Sequence, residues 1–293
     1  MRTRTRFVTT IAELRTAMAD LVVERGAGTV GLVPTMGAIH SGHRALAAAA
    51  RAAHPVVVAS LFVNPLQFND PVDYERYPRD LAADRAEFEA AGVDLVFAPA
   101  VEEMYPGYPD GPRVRVSAGR MGEVLEGASR PGHFDGVATV VTKLFHVFRT
   151  DGARLHAYFG QKDVQQLMII RRMVADLDLE VDVHAVPTER EASGLALSSR
   201  NLLLSESDRD HATVLSRALL ELQDRASRGV ALDVEELRVR IDSTPDTRLD
   251  YLEVVDPGTL EPTHTLPAVA VVAARVGSVR LIDNMPLEGP TDD

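Results

Sequence analysis

The stretch Val33-Pro34-Thr35-Met36-Gly37-Ala38-Ile39-His40-Ser41-Gly42-His43 decides the reading of this chain. An apolar strand, Thr29 to Val33, runs into a glycine-containing turn, and an amphipathic helix from about Ser41 to Ala53 follows. A helix start offers unpaired backbone N–H groups and the positive end of a macrodipole, so it attracts phosphate. Gly37 and Gly42 let the backbone come close to a ligand. Two imidazoles three residues apart, His40 and His43, can donate hydrogen bonds to phosphate oxygens and stabilise charge that develops during transfer. A strand–turn–helix junction is also where open parallel sheets bind ligands.

Working outward, strand-like and helix-like segments alternate through residue 187. Helices are expected at 10–25, 41–53, 79–91, 137–148 and 164–175. Strands are expected at 29–34, 56–63, 93–97, 155–159 and 181–186, with a short one at Val114–Val116. Thr10-Ile11-Ala12-Glu13 reads as a capping box at the first helix start. Apolar strands separated by helices predict a doubly wound parallel sheet. Beyond Pro187 the pattern changes to helices near 206–227 and 233–242, then strand candidates at 250–254, 268–273 and 278–281. The expected organisation is a domain over 1–187 and a smaller C-terminal α+β domain over 188–293.

Composition sets limits. Of 293 residues, 45% are hydrophobic and 25% charged, which suits a packed fold rather than disorder. The net charge of −12 argues against a nucleic-acid partner, which needs a basic face. With no cysteine, thiolate catalysis and Cys-type zinc sites are excluded. No apolar run approaches a membrane span, and the faint targeting pattern of Met1 to Arg6 is interrupted by Glu13, Asp20 and Glu24, so a cytoplasmic protein is expected. Glu288 to Asp293 reads as a polar, acidic end.

Gly26-Ala27-Gly28-Thr29-Val30-Gly31 fits G-x-G-x-x-G by letter, but a helix precedes it and a strand follows. That is the reverse of the dinucleotide-binding order, so Gly26 reads as a helix stop.

Three further clusters carry candidate chemistry. Gly160-Gln161-Lys162-Asp163 stands where a strand meets a helix, so its lysine can reach phosphate and its aspartate can accept ribose hydroxyls. Taken alone, the same turn reads equally as surface with a capping aspartate. Gly194-Leu195-Ala196-Leu197-Ser198-Ser199-Arg200-Asn201 reads either as a loop closing over polyphosphate or as a linker with a helix cap. Gln67 after Asn64-Pro65, Gln166 in the helix after Asp163, and Arg130 in Ser129-Arg130-Pro131-Gly132-His133-Phe134 are candidates for a small hydroxy-carboxylate.

Together these pieces resemble one family. His40-Ser41-Gly42-His43 is similar to the HIGH signature of nucleotidyl-transferring enzymes, and Leu197-Ser198-Ser199-Arg200 to their KMSKS-type loop. With Phe62 to Phe68, Tyr77-Pro78-Arg79, Leu125 to Phe134, Gly160 to Gln166 and Leu281 to Asn284, the set resembles the pantothenate synthetase (pantoate–β-alanine ligase) family. The resemblance implies a Rossmann-like N-terminal domain with a smaller C-terminal lid, and ATP-dependent ligation of pantoate and β-alanine through a pantoyl adenylate, with Mg²⁺, in a homodimer. It implies that Met36 to His43 hold ATP, with His40 and His43 on the phosphates and His43 matching the proposed proton donor. Gln67 and Gln166 would hold pantoate, and Gln67 would also lie beside β-alanine. Gly160 to Asp163 would take ribose and phosphate, with Lys162 on the transferring phosphoryl group. Glu189 would meet adenine through its backbone, and Leu197 to Arg200 would close on the phosphates. Ala83 precedes Asp84 where some members carry adjacent carboxylates, so the expected Mg²⁺ contact falls on Asp84 alone. Two other readings stay open: another HIGH-type adenylyltransferase, and a nucleotide-binding sensor without turnover.

Overall fold

The computed structural model describes residues 4–290. Met1–Thr3 and Thr291–Asp293, parts of the targeting-like start and the acidic end, lie outside the described residues. The chain divides into two compact units: Met1–Gly160 with Gln165–Val186, and Gln161–Val164 with Pro187–Asp293.

The first unit is a six-stranded parallel sheet. Its strands are β1 (Arg6–Val8), β2 (Thr29–Thr35), β3 (Val56–Leu61), β4 (Leu95–Phe97), β5 (Arg154–Gly160) and β6 (Val181–Val186), in the order β1-β4-β3-β2-β5-β6. β2 pairs with β3 from Val30↔Val56 to Thr35↔Leu61, and with β5 from Thr29↔Arg154 to Leu32↔Ala157. Strand order therefore reverses between β2 and β5, which makes their carboxyl ends the switch point where such sheets bind ligands.

Side chains alternate across the sheet with a period of two. Val30, Leu32, Val56 and Val58 join one core, while Val33, Val57 and Ala59 join another. The first core is covered by α1 (Ile11–Arg25) through Leu14, Ala17 and Met18, by α7 (His133–Val147) through Val137, Val141 and Leu144, and by α8 (Val164–Asp176) through Leu167 and Ile170. The second is covered by α2 (Ser41–Ala53) through Leu46, Ala47 and Ala50, and by α4 (Leu81–Ala91) through Phe88. Each fully buried valine contributes roughly 1.5–3 kcal/mol relative to exposure. The doubly wound α/β fold is thus built from near-continuous apolar strands covered on both faces.

Local signals explain the boundaries. The Thr10–Glu13 capping box forms with both of its bonds, and α1 stops at Gly26 in the left-handed conformation, φ 55°. The G-x-G-x-x-G letters are accordingly a helix stop followed by β2. α7 starts at His133, four residues before the expected Val137, because Gly132 turns the chain at φ 80°. Three short elements differ from expectation. β1 exists where no strand is expected, held in register by β4. α3 (Pro71–Arg76) falls between the strand expected at 56–63 and the helix expected at 79–91, started by Asp70 capping the Val72 N–H and by Pro71. Val114–Val116 is not a strand; the Val116 N–H is satisfied by the Thr139 hydroxyl at 3.0 Å instead. The helices α5 (Val101–Met104) and α6 (Glu126–Ser129) complete the unit.

The carboxyl end of α2 is seated by a histidine cluster. His54 is 7% exposed, its Nδ1 is 2.9 Å from Thr29 Oγ1, and its Nε2 is 2.8 Å from the Tyr158 hydroxyl. Its ring lies 4.5 Å from that of His156, whose Nδ1 is 3.0 Å from His184 Nε2. Gly31 makes room for this seat, since a Cβ there would lie 2.9 Å from His54 Cδ2.

In the second unit an antiparallel sheet, β7 (Thr247–Val255), β8 (Ala268–Val276) and β9 (Val279–Leu287), packs with α9 (Glu206–Ser227) and α10 (Val234–Asp242) around Leu215, Leu219, Leu222, Leu252, Ala270 and Val272. No helix among the described residues is long and apolar enough to cross a membrane.

Candidate active site

The turn after β2 is built around one carboxylate. Asp84, on α4 and 4% exposed, accepts the Ala38 N–H at Oδ2 (3.2 Å) and the Ile39 N–H at Oδ1 (2.8 Å). Only glycine fits at position 37, where φ is 90° and a Cβ would stand 2.7 Å from Asp84 Oδ2. Asp84, the residue expected at Mg²⁺, is thus a buried anchor of this turn, with one backbone amide on each of its two oxygens. Among the described residues, the one group of three carboxylates or imidazoles close enough to share an ion is Asp208, His211 and Asp246, none of them a candidate site residue.

The turn delivers His40 to the start of α2 as its cap. His40 Nδ1 accepts the Gly42 N–H at 3.1 Å, and His43 Nδ1 accepts the His40 N–H at 3.4 Å. The two imidazoles thus form a reciprocal capping box, with ring centroids 4.0 Å apart. A neutral imidazole that accepts at Nδ1 carries its proton at Nε2. Both rings therefore present an Nε2–H donor. Burial, with the His40 charge beside it, pushes the His43 imidazole down to about 3. His43 is neutral at pH 7, so it acts there as a hydrogen-bond donor rather than as a standing cation.

Gln67 ends a 3-10 turn, Pro65–Gln67, and is buried. Its Oε1 accepts from Asn64 Nδ2 at 3.0 Å, and its Nε2 lies 3.0 Å from the Met36 sulfur, so it touches the turn after β2 directly. Asn64 is itself fixed by the Tyr105 hydroxyl at 2.8 Å and by donating to the Gly136 carbonyl at 3.0 Å. Burial holds the Tyr105 phenol above its ordinary pKa, so it stays a donor. Gly136 lets α7 approach, since a Cβ there would sit 2.2 Å from the Leu66 carbonyl oxygen. Arg130 joins this group: His133 Nδ1 donates to the Gln67 carbonyl at 2.7 Å and His133 Nε2 lies 3.1 Å from Arg130 Nη1. Gln166 is half-buried on α8. Its neighbour Gln165 spends its side chain on the 121–126 segment, donating to the Met121 and Val124 carbonyls at 2.9 Å each.

In the second unit, Lys162, Ser198 and Arg200 line one small cavity, with Asn201, Arg280 and Asp283 among the other walls. The loop is braced at several points. Leu197 donates to the Glu189 carbonyl at 2.8 Å, and Ser198 Oγ accepts the Arg200 N–H at 3.2 Å. Asn201 Nδ2 donates to Glu191 Oε1 at 2.9 Å, and Arg209 donates to both Glu191 oxygens. Arg200 Nη1 donates to the Arg280 carbonyl at 3.3 Å. Ser199 and Asp163 are exposed and are not cavity walls. Gly160 ends β5 at the switch point, and Gln161 follows in the turn.

The structure thus groups the candidates into two sets, Met36–His43 with Gln67 and Arg130, and Lys162 with Ser198 and Arg200. Asn64, Tyr105, His133, Arg190 and Asn284 complete these sets; Asn64, His133 and Asn284 stand inside quoted motif segments with no role assigned to them, and Tyr105 and Arg190 lie outside every motif. Only Asn64 carries a local sign, an Asn-Pro pair that starts the 3-10 turn.

A family model for pantoate-beta-alanine ligases matches residues 6–286. This chain belongs to the pantoate–β-alanine ligase family. The pantothenate synthetase of Paenarthrobacter aurescens strain TC1 is 53% identical over 295 residues, covering 96% of this chain and 99% of that one. The pantothenate synthetase of Corynebacterium glutamicum strain R is 54% identical over 285 residues, covering 94% and 99%. Among solved structures, the pantoate–β-alanine ligase of Thermus thermophilus superposes with a TM-score of 0.83 at 49% identity, covering 97% of this chain and all of that one. The pantoate–β-alanine ligase of Francisella tularensis, crystallised with β-γ ATP and β-alanine, superposes with a TM-score of 0.75 at 35% identity, covering 96% and 97%. As a pantoate–β-alanine ligase family member, the chain is an enzyme of ligase type.

Proposed function

We propose that the chain joins pantoate to β-alanine in two steps at the expense of ATP. In the first, a pantoate carboxylate oxygen attacks the α-phosphorus, the Pα–O bond to the β-phosphate breaks, and pyrophosphate leaves with the electron pair. In the second, the β-alanine amine attacks the activated carbonyl, the acyl–oxygen bond to AMP breaks, and the amine loses a proton as the amide forms. Such chemistry rests on positioning and charge stabilisation rather than on a protein nucleophile.

One observation carries this reading. Lys162, Ser198 and Arg200 stand around one water-sized cavity of about 10 Å³, so the side chains and not the void carry the reading, in a chain whose net charge is −12. Gathering cations in an acidic protein suits a polyphosphate. The Nε2–H donors of His40 and His43 at a helix start support it further, as do the ATP and β-alanine ligands of the Francisella relative. On this reading His40, His43 and Lys162 stabilise the transferring phosphate. Ser198, Ser199 and Arg200 bind the leaving pyrophosphate, Gln67, Gln166 and Arg130 hold pantoate, and Glu189 meets adenine. Magnesium belongs with the ATP that carries it in, and the homodimer follows from the family resemblance.

The test is exchange of labelled pyrophosphate into ATP. Exchange that requires pantoate, followed by pantothenate and AMP when β-alanine is added, is the expected result. Exchange independent of pantoate would assign the chain to another adenylyltransferase, and ATP binding without exchange would make it a sensor.

A further inference from the structure

Asn284 lies on β9, is 2% exposed, and belongs to none of the sequence clusters assigned to substrates. Its side-chain amide donates to two consecutive carbonyls, those of Gln161 and Lys162, at 2.9 Å each. These carbonyls belong to the two peptide planes that flank the Lys162 Cα. Fixing both planes fixes φ and ψ of Lys162, and with them the direction of its Cα–Cβ bond. A residue 122 positions away in sequence therefore aims the lysine.

Asn284 is held in turn. Its N–H donates to Asp283 Oδ1 at 2.8 Å, and its carbonyl accepts from Arg190 Nη2 at 3.4 Å. Arg190 forks onto Asp283 at 2.6 and 3.1 Å and donates to the Gly194 carbonyl at 3.1 Å. Gly194 opens the loop that carries Ser198 and Arg200. One buried network thus ties the lysine turn and the serine–arginine loop to the same strand, and Lys162, Ser198 and Arg200 meet at one cavity.

We infer that Asn284 is a positioning residue for phosphoryl chemistry, acting through the backbone of Lys162, with Arg190 and Asp283 as its support. The inference rests on the assignment of Lys162 to the transferring phosphate. No other residue type of this size supplies the geometry: aspartate offers two carbonyls only acceptors, and alanine removes both donors.

The test is a double-mutant cycle read by single-turnover pyrophosphate release, with pantoate KM and melting temperature measured in parallel. Asn284→Ala slows adenylation about tenfold or more, within the roughly 10²-fold that a misplacement of about 1 Å can cost. Pantoate KM is unchanged, and in a Lys162→Ala background the same substitution has no further effect. Asn284→Ser, which keeps one donor, falls between the two and serves as the readout if Asn284→Ala does not fold. An equal loss in both backgrounds, or a wild-type rate in the folded variant, overturns the inference. A wild-type rate in Lys162→Ala alone overturns instead the role given to the lysine.

Discussion

Asp84 holds Ile39 through a 2.8 Å hydrogen bond from the Ile39 backbone to a carboxylate that water scarcely reaches. Its second oxygen holds Ala38. A residue in the first turn of α4 thus shapes the turn that follows β2.

Asp84→Asn can accept on only one of its two side-chain atoms, so one of these amides loses its partner. A hydrogen bond to a charged acceptor contributes about 1.5–3 kcal/mol. The expected result is adenylation slowed by about tenfold, with the Mg²⁺ concentration for half-maximal rate unchanged. Titrating Mg²⁺ at saturating ATP checks this; a parallel rise in the Mg²⁺ requirement would assign Asp84 to the ion.

His43→Ala and Lys162→Ala each remove one donor to developing charge, a loss of about 10²-fold or more in single-turnover pyrophosphate release. His43→Gln keeps an N–H at a similar reach and retains part of the rate. A variant at wild-type rate would take its residue out of the mechanism.

Because His43 stays neutral down to about pH 3 in the free protein, its titration contributes no inflection in kcat/KM between pH 5 and 8. Following the His43 ring resonances by NMR across that range should show no protonation. A midpoint near 6.5 would mean that the ring is solvated rather than buried at the start of α2.

The seat of α2 makes a second pH prediction, for stability. Burial first, then the neighbouring His156, His184 and Arg51, pushes His54 from 6.5 down to about 4. The fold therefore favours neutral His54. That contribution is fully present above the unfolded value of 6.5 and drains away as pH falls toward 4. The full shift corresponds to about 3 kcal/mol, of which about 2 kcal/mol is lost between pH 7.5 and pH 5. Urea unfolding at pH 7.5 and pH 5 measures that part. His54→Gln is expected to flatten the pH dependence, and an unaltered slope would show that the acid sensitivity lies elsewhere.

Gly136→Ala puts a methyl group 2.2 Å from the Leu66 carbonyl oxygen, a clash with backbone that no side-chain rotation relieves. Overpacking of this sort costs about 1–3 kcal/mol. Since the same turn carries Gln67, the variant should lower the melting temperature and raise pantoate KM together. A lower melting temperature with normal pantoate KM would separate Gln67 from pantoate recognition.

The sheet is legible in the sequence because its code is local. The runs Thr29–Thr35 and Val56–Leu61 are apolar on both faces, and glycine and capping residues bound the helices beside them. β1 is not legible, because Arg6–Val8 is three residues long and owes its extension to the partner strand β4. Val114–Val116 misleads for the opposite reason: β-branched residues there meet a threonine hydroxyl, not a strand. At the site, the histidine pair and the lysine turn show in sequence because glycine and strand ends flag them. The Asp84–Ile39 bond spans 45 positions and the Asn284–Lys162 bond 122, and nothing near either residue announces its partner.

The grouping of Gln161–Val164 with the second unit has a practical consequence. A cut after Val186 would give an N-terminal fragment that keeps the ammonium of Lys162 but not the strand that aims it. Grafting or exchanging the C-terminal portion among homologues would accordingly swap the strand that sets the Lys162 backbone.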